Sequence, residues 1–188
     1  MIGRPLEHPE RIAEHVGADT LGHLLAVVDQ PHRVAGEVEA TPVGAFVAPS
    51  DFHALDQAPV VADDERPFVV PGFDPAWRAR VVQTWRARPE PPIVDGGVYW
   101  QANGPRFETR AEVRFLARFA DLVGMTVASE CVAANQTGLA YAAVCIVDNL
   151  ANGVADEPLT MEEYQRGAAA NADRLRRALD RVVPELAA

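Results

Sequence analysis

Apolar residues recur at helical spacing in four stretches of the chain. Over residues 10–28 they return about every three or four positions, which predicts a first helix. Asp74 can cap a second helix, in which Pro75 suits the first position and an apolar stripe follows. Two Thr-x-x-Glu sequences, each ahead of an apolar repeat, are capping boxes that predict a third helix after Thr109 and a fourth after Thr160.

Apolar and β-branched runs bounded by Pro or Gly predict four strands, at 43–49, 92–102, 121–127 and 140–148. The last run is almost continuously apolar, which is typical of a strand buried on both faces. Strand, helix, strand, helix and strand follow one another over 92–148, and this alternation predicts an α/β fold with a mixed sheet flanked by helices. The segment 56–75, rich in Pro and Asp, is expected to be a long functional or interfacial loop.

Composition narrows the function classes. The 188 residues carry a net charge of −10, which disfavours a nucleic-acid partner because phosphate binding needs a basic surface. The sequence has no apolar run of the ~18 residues that a membrane span needs, and its first residues lack the apolar core of a signal peptide. The two cysteines and five histidines show no zinc-ligand spacing. We therefore expect a cytoplasmic protein without a metal, a cofactor, or a membrane or nucleic-acid partner.

Polar clusters follow three of the predicted strands, at 103–108, 125–126 and 148–153. If the three strands are adjacent and parallel, the clusters meet at one edge of the sheet. Together they offer a ring, a carboxylate, a thioether, a hydroxyl and an amide, which suit a heterocycle linked to a sugar. Each side chain also has a structural explanation: Phe107 could be core, Glu108 a helix cap and Met125 a gap-filler. Their joint placement favours a binding site.

The sequence G-P-R-F-E-T-R-A-E at 104–112, followed by G-M-T at 124–126, resembles the trimeric nucleoside phosphorylases. That family includes purine nucleoside phosphorylase and methylthioadenosine phosphorylase. The resemblance is strong over 92–153 and fainter over 43–85. It implies a reduced version of the family's α/β fold and a small-molecule substrate, a purine nucleoside or an analogue of one.

The resemblance also implies roles for individual residues. Phe107 would contact the base or the sugar, and Glu108 would meet the N1 edge in members that prefer 6-oxopurines. Met125 would lie under the ribose, with Thr126 beside it. Asn149 would hydrogen-bond N7, where a donor stabilises charge that develops on the departing purine. Asn149 and Glu108 are therefore the candidate catalytic residues.

Further substrate contacts are expected from Arg106 and Asp148, which border these positions. The methylthioadenosine branch carries two aspartates where this sequence has Asn149 and Ala151, so the resemblance implies a 6-oxopurine rather than adenine. In the family a neighbouring subunit closes the site with an aromatic ring or a histidine. Phe68 is the candidate for that role, and a homo-oligomer, a trimer first, is expected.

The phosphate site is where the sequence departs from the family. The family's Gly-rich phosphate turn and its Arg-His pair have no counterpart here, and a later phosphate-binding segment aligns with His32 and Arg33 instead. We expect a single nucleoside phosphorylase-like domain over 1–188 without the phosphate-loop segment. His32 and Arg33 are the candidates for a substitute anion site.

Three functions remain open. The chain could cleave or transfer the glycosyl group of a purine nucleoside, with phosphate or water as nucleophile. It could be a repurposed enzyme in which Glu108 or His32 performs acid–base chemistry on another small molecule. It could also be a non-catalytic subunit that joins a full-length phosphorylase.

Overall fold

The computed structural model describes residues 23–28, 32–33, 42–55, 68–87, 92–156 and 158–187, the first two ranges as backbone strands only. The elements are β1 (His23–Val28), β2 (His32–Arg33), β3 (Phe46–Ala48), β4 (Asp51–His53), α1 (Pro75–Arg86), β5 (Ile93–Asp95), β6 (Val98–Gln101), α2 (Arg110–Leu116), β7 (Leu122–Gly124), α3 (Val127–Gln136), β8 (Ala140–Ile146), β9 (Asn149–Leu150) and α4 (Met161–Leu186). None of the helices in these ranges has the length and apolarity to cross a membrane.

The strands form two mixed sheets, of four and five strands. The first has the order β1-β8-β3-β5, with β8 parallel to β1 and antiparallel to β3. The second has the order β4-β6-β7-β2-β9, with β6 parallel to both β4 and β7 and with β2 antiparallel to β7. The predicted α/β fold is confirmed, but the single mixed sheet is divided in two.

The division follows from a break in the run 92–102, which was wrongly predicted as one strand. Gly96 and Gly97 have φ angles of 125° and 93°, a region that glycine adopts readily and other residues rarely do. β5 before the break belongs to the four-stranded sheet, and β6 after it belongs to the five-stranded sheet. The backbone N–H of Ser50, between β3 and β4, donates to the carbonyl of Gly97 at 2.8 Å, so both chain segments cross between the sheets together.

Three of the four predicted helices are confirmed with their caps. Asp74 accepts from the N–H of Trp77 at the start of α1, and complete capping boxes at Thr109 and Thr160 open α2 and α4. The helix predicted over 10–28 is wrong for His23–Val28, which pairs with β8 along its full length as β1. A short apolar run fits the hydrophobic period of a helix and that of a strand equally well. Here the pairing with the buried strand β8 makes the segment a strand. The rest of that segment lies outside the described residues.

β8 is buried on both faces, as its sequence predicts. Alternate residues Ala142, Val144 and Ile146 pack with α1 and α4, where Trp85 and Leu179 complete a large apolar cluster. The opposite face packs against α3 in a second cluster, which includes Tyr99, Val127, Cys131, Tyr141 and Cys145. α2 covers the five-stranded sheet on its outer side. These three clusters hold α1 and α4 on one face of β8, α3 on the other face, and α2 on the five-stranded sheet.

Candidate functional site

The loops that follow β6 and β7 meet, as the sequence predicts. The two strands are parallel neighbours, so their carboxyl ends lie at the same edge. A Cβ added to Gly104 would lie 2.8 Å from the Sδ atom of Met125, which places the 103–108 loop directly against this thioether. Two of the three predicted polar clusters therefore share one place.

The third cluster reaches the site by a route that differs from the prediction. β8 was expected to lie next to the other two strands, but it belongs to the four-stranded sheet. The chain leaves that sheet after Ile146, and Asn149–Leu150 joins the five-stranded sheet as β9, next to β2. Asn152 then donates from Nδ2 to the backbone carbonyl of Glu108 at 3.1 Å. This bond ties the third cluster to the loop after β6.

The first turns of α4 form the remaining wall. The Phe107 and Tyr164 rings lie 5.9 Å apart between centroids. One residue earlier, the carbonyl of Glu163 accepts from Nδ2 of Asn149 at 3.2 Å. From the sequence, Glu163 is predictable only as part of a capping box, and Tyr164 only as a member of the apolar stripe of this helix. Their contribution arises from tertiary packing and has no local signature.

Asn149 has a fixed amide orientation. A carbonyl oxygen can only accept a hydrogen bond, so the atom facing Glu163 must be Nδ2. The opposite atom, Oδ1, is buried and has no hydrogen-bond partner among the described residues. The amide therefore presents an acceptor where the resemblance implied a donor, and a buried acceptor of this kind favours a ligand that brings a donor.

Glu108 presents a second acceptor. The residue is buried, with 6% exposure, and its N-terminal neighbour in the motif, Phe107, is half-buried. Burial raises the pKa of the Glu108 carboxyl, the charge of Glu112 adds to that effect, and the backbone N–H of Glu108 and the charge of Arg106 oppose it. The N-cap of α2 is Thr109, and Glu112 completes its capping box. Glu108 is therefore not the cap of this helix, which was the structural alternative to a role in binding.

Arg106 is paired with Glu112. Its guanidinium forms a two-pronged bond to Glu112, with Nη2–Oε1 at 2.7 Å and Nη1–Oε2 at 2.9 Å, and also reaches the carbonyl of Phe107. This pairing, followed by the bonds from Thr109, lowers the pKa of Glu112 to about 2. Arg106 thus braces the capping box, and its predicted contact with substrate has no support in these bonds.

The other predicted residues border the same place. Asp148 is buried and accepts from Nδ2 of Asn171 at 2.8 Å. Thr126 is the N-cap position of α3 and makes no side-chain capping bond. His32 pairs in backbone register with both Val123 and Asn149, which puts the candidate anion pair His32 and Arg33 beside β9 at the level of the backbone. Their side chains lie outside the description.

Phe68 is the predicted contact with a neighbouring subunit. Its side chain is fully exposed, as is that of Val70. The base of this segment is anchored, since the N–H of Gly72 donates to Oδ1 of Asn135 at 2.8 Å and the N–H of Asp74 donates to the carbonyl of Tyr141 at 2.8 Å. An apolar side chain held out on an anchored segment is suited to contact with another molecule.

A close approach between α4 and β9 holds Asn149. A Cβ added to Gly167 would lie 2.5 Å from the carbonyl oxygen of Asp148 and 3.0 Å from both Asn149 amide atoms. Gly167 was not among the predicted residues. A glycine inside a strong amphipathic helix is nevertheless a sequence signal for close packing.

Comparison with known proteins gives one family and a fold. Residues 34–184 match the phosphorylase superfamily. A protein of Archaeoglobus fulgidus named probable 6-oxopurine nucleoside phosphorylase is 38% identical over 128 residues, 68% of this chain and 53% of that protein. A protein of Methanosarcina acetivorans named probable S-methyl-5'-thioinosine phosphorylase is 37% identical over 139 residues, 68% of this chain and 50% of that protein. The chain spans about half the length of these curated relatives.

Solved structures agree on the fold. Methylthioadenosine phosphorylase from Schistosoma mansoni, in complex with adenine, superposes with a TM-score of 0.74 at 21% identity, over 89% of this chain and 66% of that one. A schistosoma purine nucleoside phosphorylase in complex with hypoxanthine gives 0.71 at 23% identity, over 86% and 61% of the two chains. At this level of identity the likeness establishes the arrangement of strands and helices alone.

Gly167→Ala tests the close approach of α4. On an exposed helix surface this change stabilises by roughly 1 kcal/mol. Here the added methyl group would overlap the carbonyl of Asp148, so we expect the free energy of unfolding to fall by about 1–3 kcal/mol. Denaturant unfolding measures it. The matched control is Ala170→Gly, at an exposed position of the same helix, which should lose roughly 1 kcal/mol. A more stable Gly167→Ala variant would contradict the packing described.

Proposed function

This chain belongs to the phosphorylase superfamily, and we propose that it binds a purine nucleoside at the candidate site and acts on the bond between base and sugar. The similarity to a relative named as a 6-oxopurine nucleoside phosphorylase supports a 6-oxopurine as the base. Ala151 is buried and supplies no carboxylate at the second position where the methylthioadenosine branch carries aspartate. This supports the same preference.

The observation that carries the proposal is a pair of buried acceptors. Oδ1 of Asn149 lacks a partner among the described residues, and Glu108 carries a buried carboxyl. A 6-oxopurine with a proton on N7 has two N–H donors, one at N1 and one at N7. The Glu108 carboxylate would accept from N1–H, and Asn149 would accept from N7–H. Adenine has no N1–H donor and fits this pair less well.

The same pairing supplies chemistry. When the bond from C1' to N9 breaks, its electron pair leaves with the purine and the sugar becomes cationic. A proton that N7 takes up from solvent leaves the departing base neutral, and Oδ1 of Asn149 would accept a hydrogen bond from N7–H and so hold that proton on the base. Phosphate or water then forms the new bond to C1'. We propose His32 and Arg33 as the anion site for phosphate, since their strand lies directly beside Asn149.

Inosine tests the function. We expect the protein to bind it, and to release hypoxanthine together with ribose 1-phosphate if phosphate is the nucleophile, or ribose if water is. Incubation with and without phosphate, followed by product analysis, separates the two. Binding without release in either condition would identify a non-catalytic subunit. If neither inosine nor hypoxanthine binds, the nucleoside assignment is wrong.

Asn149→Ala removes the amide that would meet N7. A buried polar contact whose partner is left unpaired is worth roughly 1–3 kcal/mol, so affinity for hypoxanthine, which can carry a proton on N7, should fall about tenfold or more. Glu108→Gln should lower the affinity for inosine relative to adenosine, because the new side chain adds a donor where N1–H points. The matched control is Glu112→Gln, which weakens the α2 cap and should lower the melting temperature without changing the inosine-to-adenosine ratio. Unchanged affinities in the Asn149 and Glu108 variants would rule out the assigned roles.

Binding should depend on pH through Glu108. Its pKa is raised in the free protein because the carboxyl is buried. Inosine would bind the ionised form, so the affinity should be highest above that pKa and decline as the pH falls through it. Calorimetric titration between about pH 8 and pH 5 measures this. The Glu108→Gln variant lacks this carboxyl and keeps every other ionisable group, so the difference between the two proteins isolates Glu108. A wild-type affinity that rises on acidification would refute the assignment.

We further propose a homo-oligomer, a trimer first, in which Phe68 enters the neighbour's site. The exposed ring on its anchored segment supports this. Sedimentation at micromolar concentration should show the trimer, and Phe68→Ala should weaken inosine binding. Leu55→Ala, also at an exposed apolar position, is the control and should leave binding intact. A stable monomer with full inosine affinity would count against the proposal. Association with a full-length homologue is the alternative assembly, which co-sedimentation would reveal.

We propose that residues 1–188 form a single nucleoside phosphorylase-like domain and that the protein is cytoplasmic. Cys131 and Cys145 are free and buried, which suits a reducing compartment. Limited proteolysis that releases two stable fragments would contradict the single domain. Recovery of the chain outside the cytoplasmic fraction of its cells would contradict the location.

A further inference from the structure

Helix α3 begins at the candidate site without a cap of its own. Thr126 occupies the N-cap position, but its side chain makes no capping hydrogen bond. The first N–H groups of any helix lack partners within the helix and need acceptors from elsewhere. In α3 these groups adjoin Met125 and Thr126, which the family resemblance places beside the ribose.

Strand β6 supplies the acceptors. The hydroxyl of Tyr99 accepts from the N–H of Thr126 at 3.4 Å and also from that of Val127. Oε1 of Gln101 accepts from the N–H of Ser129 at 2.8 Å. Residues 99 and 101 alternate along the strand and therefore point to the same face. One strand thus caps the neighbouring helix with two side chains.

The Gln101 amide closes a small network with Ser129. Its Nε2 donates to Oγ of Ser129 at 2.8 Å, and that hydroxyl donates to the carbonyl of Thr126 at 2.9 Å. Gln101 is 2% exposed, so both ends of its amide are satisfied in the interior. The bonds fix the N–H of Ser129 and the carbonyl of Thr126, and through them the turn that enters α3.

Gly124 makes the approach of Tyr99 possible. A Cβ at this position would overlap the Tyr99 hydroxyl, so only glycine lets the phenol reach the end of β7. The ring is fully buried, and burial raises the pKa of its hydroxyl far above its usual value, so the group stays neutral. The turn from Gly124 to Thr126 therefore packs against Tyr99. It is also connected to Gln101 by hydrogen bonds through Ser129.

We propose that Gln101, together with Tyr99, is a positioning residue for ligand binding. It caps α3 from the adjacent strand and holds the Met125–Thr126 turn in place. Because these side chains accept the bonds at the start of the helix, the Thr126 hydroxyl is not used for capping. This inference rests on the proposed function, because it is the nucleoside's sugar that the turn would meet. It assigns a purpose to a buried amide in an otherwise apolar strand. A purely structural amide would contribute to stability and leave affinity unchanged.

The test compares Gln101→Met with Tyr141→Phe. The methionine keeps the length of the side chain and removes both amide atoms. The control removes a buried hydroxyl that donates to the side chain of Glu130, one residue beyond Ser129, at 3.0 Å, and it leaves the bonds between Gln101 and Ser129 in place. Both variants should lower the melting temperature. Only Gln101→Met should weaken inosine binding, by roughly five- to tenfold. Equal affinity in Gln101→Met and wild type would overturn the positioning role.

A second measurement keeps the two proposals separate. Hydrogen exchange of the Ser129 amide should accelerate in Gln101→Met and stay unchanged in Tyr141→Phe, whether or not inosine is present. Unchanged Ser129 exchange overturns the capping itself. If the wild type fails to bind inosine, the proposed function and the ligand-positioning role are both wrong. The hydrogen-exchange data then still test whether Gln101 caps α3. Should Gln101→Met not fold, Ser129→Ala removes the link to Thr126 and should weaken inosine binding about twofold; full affinity there overturns the role.

Discussion

Two parallel chain segments cross together from one sheet to the other, and the site depends on that crossing. The bond from the N–H of Ser50 to the carbonyl of Gly97 joins them where β3 becomes β4 and β5 becomes β6. The glycine pair on one segment permits the change of direction. Without it β6 would continue in the four-stranded sheet, and its carboxyl end would not lie beside that of β7. The loop that carries Phe107 and Glu108 would then be remote from Met125.

The start of α4 provides the opposite support. Glu163 acts twice there: its side chain completes the capping box with Thr160, and its carbonyl orients the Asn149 amide. Gly167, one turn later, lets the helix approach β9 closely enough for that contact. Helix α4 is itself held by an apolar stripe that packs on β8 and α1. The orientation of one amide therefore depends on the packing of a complete helix, which is how a folded protein can hold a buried acceptor without a partner of its own.

The sequence predicts what is local and leaves open what arises from distant contacts. The caps at Asp74, Thr109 and Thr160 were predicted because a cap involves residues only three positions apart. The helix assigned to 10–28 failed over its last residues because their partner strand, β8, lies far along the chain. The residue types of the site were found at strand ends, but the path through β9 and the contributions of Tyr164 and Gly167 were not. Those depend on how α4 packs, and no short motif encodes that packing.

We propose that two buried acceptors, on Asn149 and Glu108, recognise the two N–H groups of a 6-oxopurine. A crystal structure of the protein with bound hypoxanthine tests it most directly. We expect the base beside Phe107, with N7 within hydrogen-bond distance of Oδ1 of Asn149 and N1 within that distance of the Glu108 carboxyl. A base bound elsewhere, or bound here with neither nitrogen facing these oxygens, would contradict it.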